Sequence, residues 1–241
     1  MFFRPPLQTG ILVQRYKRFL VDVKLTDGST LTIHCPNTGS MRSCSTPGSP
    51  VAYSRSDNPQ RKYPHTLEMV QEMGTWVGVN TSRTNGLVAE AIAGGAIEEF
   101  VDVHDIRREV TVTRGTRLDL AVRHGDATTC IEIKNCSLVE DGWAMFPDAI
   151  TARGSKHLRE LITLVERGEK ACIFFLVQRL DANRFRPADH IDRLYGEHLR
   201  EAAAAGVMVL VYQAEVSVAG IEIVRRLPCD LQHPGTVRTP R

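Results

Sequence analysis

The segment RLDLAVRHGDATTCIEIK (residues 117–134) is the most informative part of the second half of this chain. Both of its halves alternate with a period of two, which places every second side chain on one face of a strand. A hairpin turn centred on Gly125-Asp126 puts Asp119 directly opposite Glu132. The other face is then wholly apolar and carries Leu118, Leu120, Val122, Ile131 and Ile133. Because a slip of one residue would expose this apolar face, we expect the register to be firm.

The polar face of the hairpin carries an unusual set of charges. Asp119 lies opposite Glu132, and Arg117 lies opposite Lys134. Like charges at paired positions, ~4.5–5.5 Å apart at Cβ, destabilise a sheet. A divalent cation between the carboxylates and a phosphate beside the two cations would remove this repulsion, and carboxylate ligands favour Mg²⁺ or Mn²⁺. The alternative is a solvated face with diagonal ion pairs, and the hairpin alone does not decide between the two.

The residues before the hairpin predict a small β-barrel. About five short strands separated by turns fit into the first 82 residues, which is typical of an OB-fold. We expect these strands at 18–25, 30–34, 51–54, 67–70 and 76–79. The OB-like domain is therefore expected to span residues 1–82.

From residue 83 onward, strands alternate with helices, which is typical of a domain with a mixed sheet. We expect helices near 87–92, 155–167 and 190–205, and strands near 106–113, 117–123, 129–135, 171–177 and 207–212. The chain is thus predicted to be a two-domain α+β or α/β protein, with helices flanking the mixed sheet of residues 83–230. The tail, residues 231–241, is expected to be disordered.

The two parts of the chain differ in charge, although the whole carries only +2. Residues 1–85 have ten basic and five acidic side chains, whereas residues 86–241 have 20 basic and 23 acidic ones. A basic first third attracts polyanions. The side chains expected to bind nucleic acid are Arg15, Lys17, Arg18, Arg42, Arg55, Arg61 and Lys62 of this region and Arg117 of the hairpin.

Composition and cysteine spacing also indicate the cellular compartment. Apolar residues make up 42% of the 241 residues, which is enough for a core. The apolar stretches at residues 171–177 and 207–212 are far shorter than the ~20 residues that span a bilayer, and the N-terminus has no secretory pattern. The six cysteines form no Cys-x-x-Cys pair, which is typical of reduced thiols. We therefore expect a cytoplasmic protein with no membrane partner.

Two sets of residues resemble known families. Asp119 followed by Glu132-Ile133-Lys134 resembles the D…(D/E)-x-K signature of PD-(D/E)XK nucleases. A wider set of motifs, spread from about residue 2 to 228, resembles the sugar fermentation stimulation protein A (SfsA) family. These motifs are HCPNTGSM (34–41), SRSDNP (54–59), WVGVNT (76–81), EIKN (132–135), FPDA (146–149), GSKHL (154–158) and FLVQR (175–179).

The resemblance implies a DNA-binding protein in which an OB-like domain precedes a nuclease-like domain. It implies that Asp119 and Glu132 are ligands of Mg²⁺ or Mn²⁺, and that Lys134 orients or helps to activate the attacking water. Glu90 matches the acidic residue that many such nucleases carry on their first core helix, and would be a third catalytic carboxylate. The alternative for Glu90 is an ordinary solvated helical glutamate.

Two further polar segments each have two interpretations. Lys156 and His157 begin the amphipathic helix and either bind a phosphate at its N-terminus or are solvated residues of the helix cap. The turn at 37–41 is rich in backbone donors, which either contact phosphates or form a hydrogen-bonded corner of the barrel.

These observations lead to two functional hypotheses. The first is a largely sequence-nonspecific DNA-binding protein with a metal-dependent phosphodiesterase (nuclease) site. RNA is a second candidate ligand of this protein. The alternative is a non-catalytic DNA-binding regulatory protein of sugar (maltose) metabolism that uses the nuclease fold as a scaffold. A homodimer is an open possibility, since many nucleases of this fold pair to cut two strands. A sugar-metabolising enzyme has little support, because there is no phosphate-binding Gly-rich loop and no dinucleotide fingerprint.

Overall fold

A computed structural model describes residues 1–113 and 116–232 of the chain. Most of the tail predicted to be disordered, residues 233–241, lies outside the described residues. The strands are β1 (Gln8–Tyr16), β2 (Leu20–Lys24), β3 (Thr30–His34), β4 (Pro50–Arg55), β5 (His65–Glu72), β6 (Thr75–Gly78), β7 (Val103–Thr113), β8 (Thr116–His124), β9 (Ala127–Cys136), β10 (Leu138–Glu140), β11 (Trp143–Phe146), β12 (Lys170–Val177), β13 (Arg184–Pro187), β14 (Met208–Val216) and β15 (Ile221–Arg226). The α-helices are α1 (Thr84–Ala93), α2 (Ala152–Glu166) and α3 (Arg193–Ala204), and a 3₁₀ turn covers Thr81–Arg83.

The first strands form the predicted barrel. They are ordered β3-β2-β1-β4-β5-β6, and a parallel bridge between His34 of β3 and Thr66 of β5 closes the sheet into a five-stranded OB barrel. The sequence analysis missed β1. Its alternation is weak because Leu12 is its sole fully buried residue and its register shifts between Leu12 and Gln14. The strand expected to begin at Arg18 begins at Leu20 instead, since Lys17 and Arg18 form a turn with φ of 50° and 63°.

The second sheet is the predicted mixed sheet. Its order is β15-β14-β12-β9-β8-β7, with β9, β12 and β14 parallel and the outer pairs antiparallel. Leu87 and Ile92 of α1 pack on one face with Phe174, whereas Leu161 of α2 packs on the other with Phe175. Because both faces of β12 are covered, its sequence is a continuous apolar run. The predicted two-domain fold is confirmed.

The β8–β9 hairpin has the predicted register only in its outer part. The ladder runs from His124–Ala127 to Leu120–Ile131 and ends there. The prediction that it continues to Asp119 opposite Glu132 is wrong. The N–H of Ile133 instead donates to the Asp119 carboxylate at 2.7 Å, so a side chain takes the place of a strand carbonyl.

The predicted faces of the hairpin also change at this point. Leu118 packs in the cluster that contains Ala121 and Cys130, not with Leu120. The expected pairing of Arg117 with Lys134 is absent from the described ladder. The alternative of a solvated polar face is wrong as well, because α2 covers this face and leaves Glu132 3% exposed. The strands therefore separate where the charged residues begin.

The barrel and the mixed sheet are joined by specific hydrogen bonds. The N–H of Gly78 donates to the carbonyl of Gln178 at 2.8 Å, and a Cβ at Gly78 would lie 2.5 Å from the Gln178 side chain. The Met41 N–H donates to the Asp148 carboxylate at 3.0 Å, and Ser40 Oγ donates to the Asp148 carbonyl at 2.6 Å. The turn at 37–41 therefore contacts the second domain, which neither interpretation of it foresaw.

Candidate active site

Asp119 lies where β8 leaves the hairpin ladder, and protein donors hold both of its oxygens. Oδ1 accepts from Asn85 Nδ2 at 2.8 Å, and Oδ2 accepts from the Ile133 N–H at 2.7 Å. Burial and, second, the charge of Glu132 raise the pKa of Asp119, although these two hydrogen bonds act in the opposite direction. The carboxylate is thus oriented by its neighbours and sensitive to any cation that comes close to it.

Glu132 is buried on β9 and is held through one oxygen only. Its Oε1 accepts from Lys134 Nζ at 2.5 Å and contacts Nδ1 of His157. Its Oε2 is buried and has no hydrogen-bond partner within the described part of the chain. Burial alone would raise the pKa of Glu132, but the hydrogen bonds from His157 and Lys134 and the charge of Lys134 outweigh burial and lower this pKa. The carboxylate is therefore ionised, with one oxygen left for a ligand.

His157 of α2 fixes the orientation of Glu132. The ring is 7% exposed, and its Nε2 accepts from Arg153 Nε at 3.4 Å. Because an arginine N–H can only donate, Nε2 carries no proton and the ring proton lies on Nδ1. Nδ1 then donates to Glu132 Oε1. Together with Lys134, His157 keeps Oε1 occupied and leaves Oε2 available.

These residues fit a small, hard divalent cation. Mg²⁺ keeps several of its waters and is usually bound through one or two carboxylates together with substrate phosphates. Asp119 and Glu132 provide two such carboxylates, and the buried Oε2 of Glu132 is costly to leave without a partner. Among the residues that the structure describes, no group of three or more His, Cys, Asp and Glu side chains forms a ready metal site. The set therefore fits a cation that is also held by water and substrate, not one enclosed by protein.

A large cleft between the barrel and the mixed sheet reaches Asp119. It has a volume of about 1160 Å³ and is lined by residues of both domains. Arg55 and Arg61 line it from the barrel side, and Arg108 of β7 and Glu90 of α1 line it from the other side. The Glu90 side chain is 61% exposed and lies 3.1 Å from the amino group of Met1. The structure thus brings two of the predicted nucleic-acid-binding residues and the predicted third carboxylate to the cleft that contains Asp119.

The other basic residues singled out in the sequence do not line this cleft. Arg15 is occupied inside the barrel domain, since its guanidinium donates to the carbonyls of Asn37, Gly39 and Ser40 at 2.9–3.1 Å. Arg117 is 63% exposed and lies 3.8 Å from Glu109. The remaining residues are exposed on the barrel but do not line the cleft; they are Lys17, Arg18, Arg42 and Lys62.

Sequence reasoning missed two residues that touch the acid pair or its supports, Asn85 and Arg153, and it singled out His157 without foreseeing its contact with Glu132. For His157, the interpretation as a solvated cap residue is wrong. A signal for its burial was present, because it lies four residues before Leu161 and therefore on the apolar face of α2. Asn85 and Arg153 had no such signal, since their roles depend on how α1 and α2 are placed against the sheet.

The fold and the site define a two-domain α+β protein in which an OB barrel precedes a mixed sheet that carries a buried acid and lysine cluster. Family models match most of the chain: "SfsA N-terminal OB domain" over residues 13–79 and "Sugar fermentation stimulation protein RE domain" over residues 82–220. The chain belongs to the sugar fermentation stimulation protein (SfsA) family.

Individual relatives support this assignment. The sugar fermentation stimulation protein homolog of Desulfotalea psychrophila is 58% identical, with 93% of this chain and 95% of the relative covered. The homolog of Geotalea daltonii is 49% identical, with 95% and 99% covered. The structure of Pyrococcus furiosus SfsA in complex with Ca²⁺ superimposes with a TM-score of 0.88 at 25% identity and covers 95% of this chain and 98% of that one. Within the described residues, no helix has the length and apolar character needed to cross a membrane.

Proposed function

We propose that this protein is a divalent-metal-dependent phosphodiesterase that acts on DNA in the cytoplasm with little sequence preference. The observation that carries the proposal is the buried Oε2 of Glu132, which has no partner among the described residues and belongs to the acid that raises the pKa of Asp119, a residue of the arginine-lined cleft. Most buried polar atoms in proteins have a hydrogen-bond partner, and a bound ion or an ordered water provides one where the protein does not.

The residues of the site have separate roles in this proposal. Asp119 and Glu132 would hold Mg²⁺ or Mn²⁺, which when bound would neutralise charge at the scissile phosphate and lower the pKa of the attacking water. Lys134, on the same strand face as Glu132 and 14% exposed, donates a hydrogen bond to that water or to a phosphoryl oxygen. Arg55 and Arg61 attract the polyanion into the cleft. Ca²⁺ in the similar P. furiosus structure supports a divalent cation that prefers oxygen ligands.

The experiment that tests this function is a cleavage assay with labelled DNA and Mg²⁺ or Mn²⁺. We expect Asp119→Ala and Lys134→Ala to lose cleavage by about 10²-fold or more, the usual size of effect for a group that acts on the reacting atoms. The matched controls are Asp57→Ala and Lys24→Ala, which change exposed residues of the barrel domain. Cleavage that persists in folded preparations of both active-site variants would disprove the proposal.

A second candidate function is the non-catalytic DNA-binding regulator of sugar metabolism. The observation that favours it is that protein donors already hold both oxygens of Asp119 and one oxygen of Glu132. A metal would have to share these oxygens with the protein. DNA binding that is unaffected by Mg²⁺ or Mn²⁺, without cleavage of any substrate in a panel of single-stranded, duplex and branched DNA, would favour this second function.

A further inference from the structure

Asp119 lines two cavities, not one. The first is the cleft of about 1160 Å³ between the barrel and the mixed sheet. The second has a volume of about 440 Å³ and is lined by Glu109, Thr111, Thr116, Arg117, Asp119 and Arg153. Asp119 and Glu109 line both, so the two cavities adjoin at these residues.

Both cavities present arginines that lack an acidic partner. In the described part of the chain, Arg55, Arg61 and Arg108 of the cleft form no salt bridge, and neither does Arg153 of the second pocket. Arg83, which also lines the cleft, is different because Glu68 binds its guanidinium at two positions, each at 2.6 Å. Positive charge that the protein does not neutralise thus lies on both sides of Asp119.

We infer that the substrate is a single polynucleotide strand that crosses Asp119, with Arg55 and Arg61 binding the phosphates on one side and Arg153 binding a phosphate on the other. This inference rests on the proposed function and names its substrate class. A polynucleotide has one negative charge per nucleotide, so a strand with an internal phosphate at Asp119 requires cations both before and after that position. A mononucleotide or a strand end would use cations on one side only.

The shape of the cleft favours a single strand over a duplex. Its walls come from different domains, with His34 and Ser54 on the barrel side and Asn85 on the α1 side. Its volume is close to the ~300–1,000 Å³ of pockets that enclose a drug-sized ligand, which is enough for a few nucleotides but not for a second strand. Phe2 lines the cleft with 78% of its surface exposed, and exposed aromatic rings in cationic grooves stack on unpaired bases.

The experiment compares binding of one fluorescein-labelled deoxyoligonucleotide, alone and annealed to its complement. A length of about 12 nucleotides is suitable, within the ~4–16 nucleotides that single-strand-binding modules cover. Anisotropy is measured in EDTA, so that binding is separated from cleavage. We expect the single strand to bind at least about tenfold more tightly than the duplex, with a strong dependence on salt. A duplex that binds as tightly as the single strand would overturn the inference.

Charge-neutralising variants test the two sides of the path. We expect Arg55→Gln and Arg153→Gln each to weaken single-strand binding by about tenfold, in line with the loss of a charged hydrogen bond, and to reduce the salt slope by about one. The control is Arg193→Gln on α3, an 81% exposed arginine that lines neither cavity. Wild-type affinity in Arg153→Gln would overturn the predicted path through the second pocket.

The inference and the proposed function fail in distinguishable ways. If the single strand binds as expected but no metal ion supports cleavage, the path stands and the phosphodiesterase does not. If metal-dependent cleavage is found but duplex DNA is the better ligand and substrate, the phosphodiesterase stands and the single-strand path is overturned.

Discussion

A buried glutamate of the barrel and a buried glutamate of the mixed sheet have opposite surroundings. Glu68 of β5 is 1% exposed, and both of its oxygens are saturated. Oε1 accepts from Ser54 Oγ and Arg83 Nη2, each at 2.6 Å, and Oε2 accepts from Arg83 Nε at 2.6 Å and Asn80 Nδ2 at 2.8 Å. Its partners come from β4, from the 3₁₀ turn and from the residue just before that turn. Glu68 thus ties the barrel to the start of the second domain.

Glu132 of β9 is buried almost as deeply but is only half satisfied. Lys134 and His157 share Oε1, whereas Oε2 has no partner in the described chain. The difference between the two glutamates shows that burial of an acid does not define its role. The saturated acid acts as a structural link, and the unsaturated one is available for an ion. The following predictions test this distinction.

The largest effect is expected for Glu68→Gln. Breaking a buried, hydrogen-bonded ion pair costs about 3–5 kcal/mol. Because the Arg83 side chain is 32% exposed, we expect the variant to lose about 3 kcal/mol in free energy of unfolding, the lower end of that range. Urea unfolding measures this loss. Glu166→Gln, at the exposed end of α2, serves as the control. Stabilisation by added Mn²⁺ should remain in Glu68→Gln, and its loss would mean that Glu68 belongs to the metal site.

The second effect is the stabilisation by metal that Glu132 provides. A ligand at 100 times its Kd stabilises the folded state by about 2.7 kcal/mol. We expect saturating Mn²⁺ to increase the free energy of unfolding of the wild-type protein by about this amount and to leave that of Glu132→Gln unchanged. Urea unfolding with and without the ion measures both values. An equal increase in both proteins would place the ion elsewhere.

The third effect concerns the support of Glu132 by His157. Loss of a residue that orients a metal ligand reduces metal affinity by about 10–100-fold, and we expect about tenfold for His157→Phe. His157→Asn is the matched variant, because its amide nitrogen takes the position of Nδ1 and can still donate to Glu132. In His157→Asn, the metal affinity measured by calorimetry should therefore stay close to that of the wild type. Equal losses in the two variants would show that ring packing, not the hydrogen bond, is what matters.

The smallest effect is a pH-dependent change in stability for Asp119→Asn without metal. The pKa of Asp119 is raised by burial and by Glu132, so the ionised carboxylate destabilises the folded state once the pH exceeds this raised value. Asparagine removes that charge and keeps an oxygen for the Ile133 N–H. We therefore expect the variant to be more stable than the wild type at neutral pH in EDTA. The gain should shrink as the pH falls through the raised pKa towards the ordinary value of 3.8.

The measurement for this prediction is urea unfolding of both proteins across the acid range. The hydrogen bonds from Asn85 and Ile133 offset part of the burial of Asp119, which is why the effect is expected to be small. A gain that stays constant down to the acid limit would show that the charge of Asp119 is not its cause. Cleavage should be lost in the same variant.

Much of the fold was predictable because local patterns and burial agree in it. The run at residues 171–177 has no polar interruption, and it became the central strand β12. The spacing of apolar residues predicted the helix near 155–167, observed at Ala152–Glu166. The strand β1 was missed because apolar residues lie on both of its faces: Ile11 and Val13 are exposed on either side of the buried Leu12. Its sequence therefore does not alternate between apolar and polar residues. Short strands such as β10, β11 and β13 carry too few residues for a period to be recognised.

The amino-acid sequence alone was enough to single out the charged residues of the candidate site. Asp119, Glu132 and Lys134 stand out because charged residues interrupt an apolar, strand-forming segment, and such interruptions are unfavourable without a compensating interaction. The sequence also determined the hairpin register near the turn, since the alternation of apolar side chains permits only one pairing there.

The arrangement of these charges depends on how the helices pack against the sheet. The separation of β8 from β9 at Asp119, the contact between His157 and Glu132, and the lack of a partner for Oε2 within residues 1–113 and 116–232 all depend on where α1 and α2 lie against the sheet. The same is true of the cleft, whose arginines come from the barrel and whose acid comes from the mixed sheet. Contacts between segments far apart in the chain follow from the packing of whole elements, and a local pattern carries no information about them.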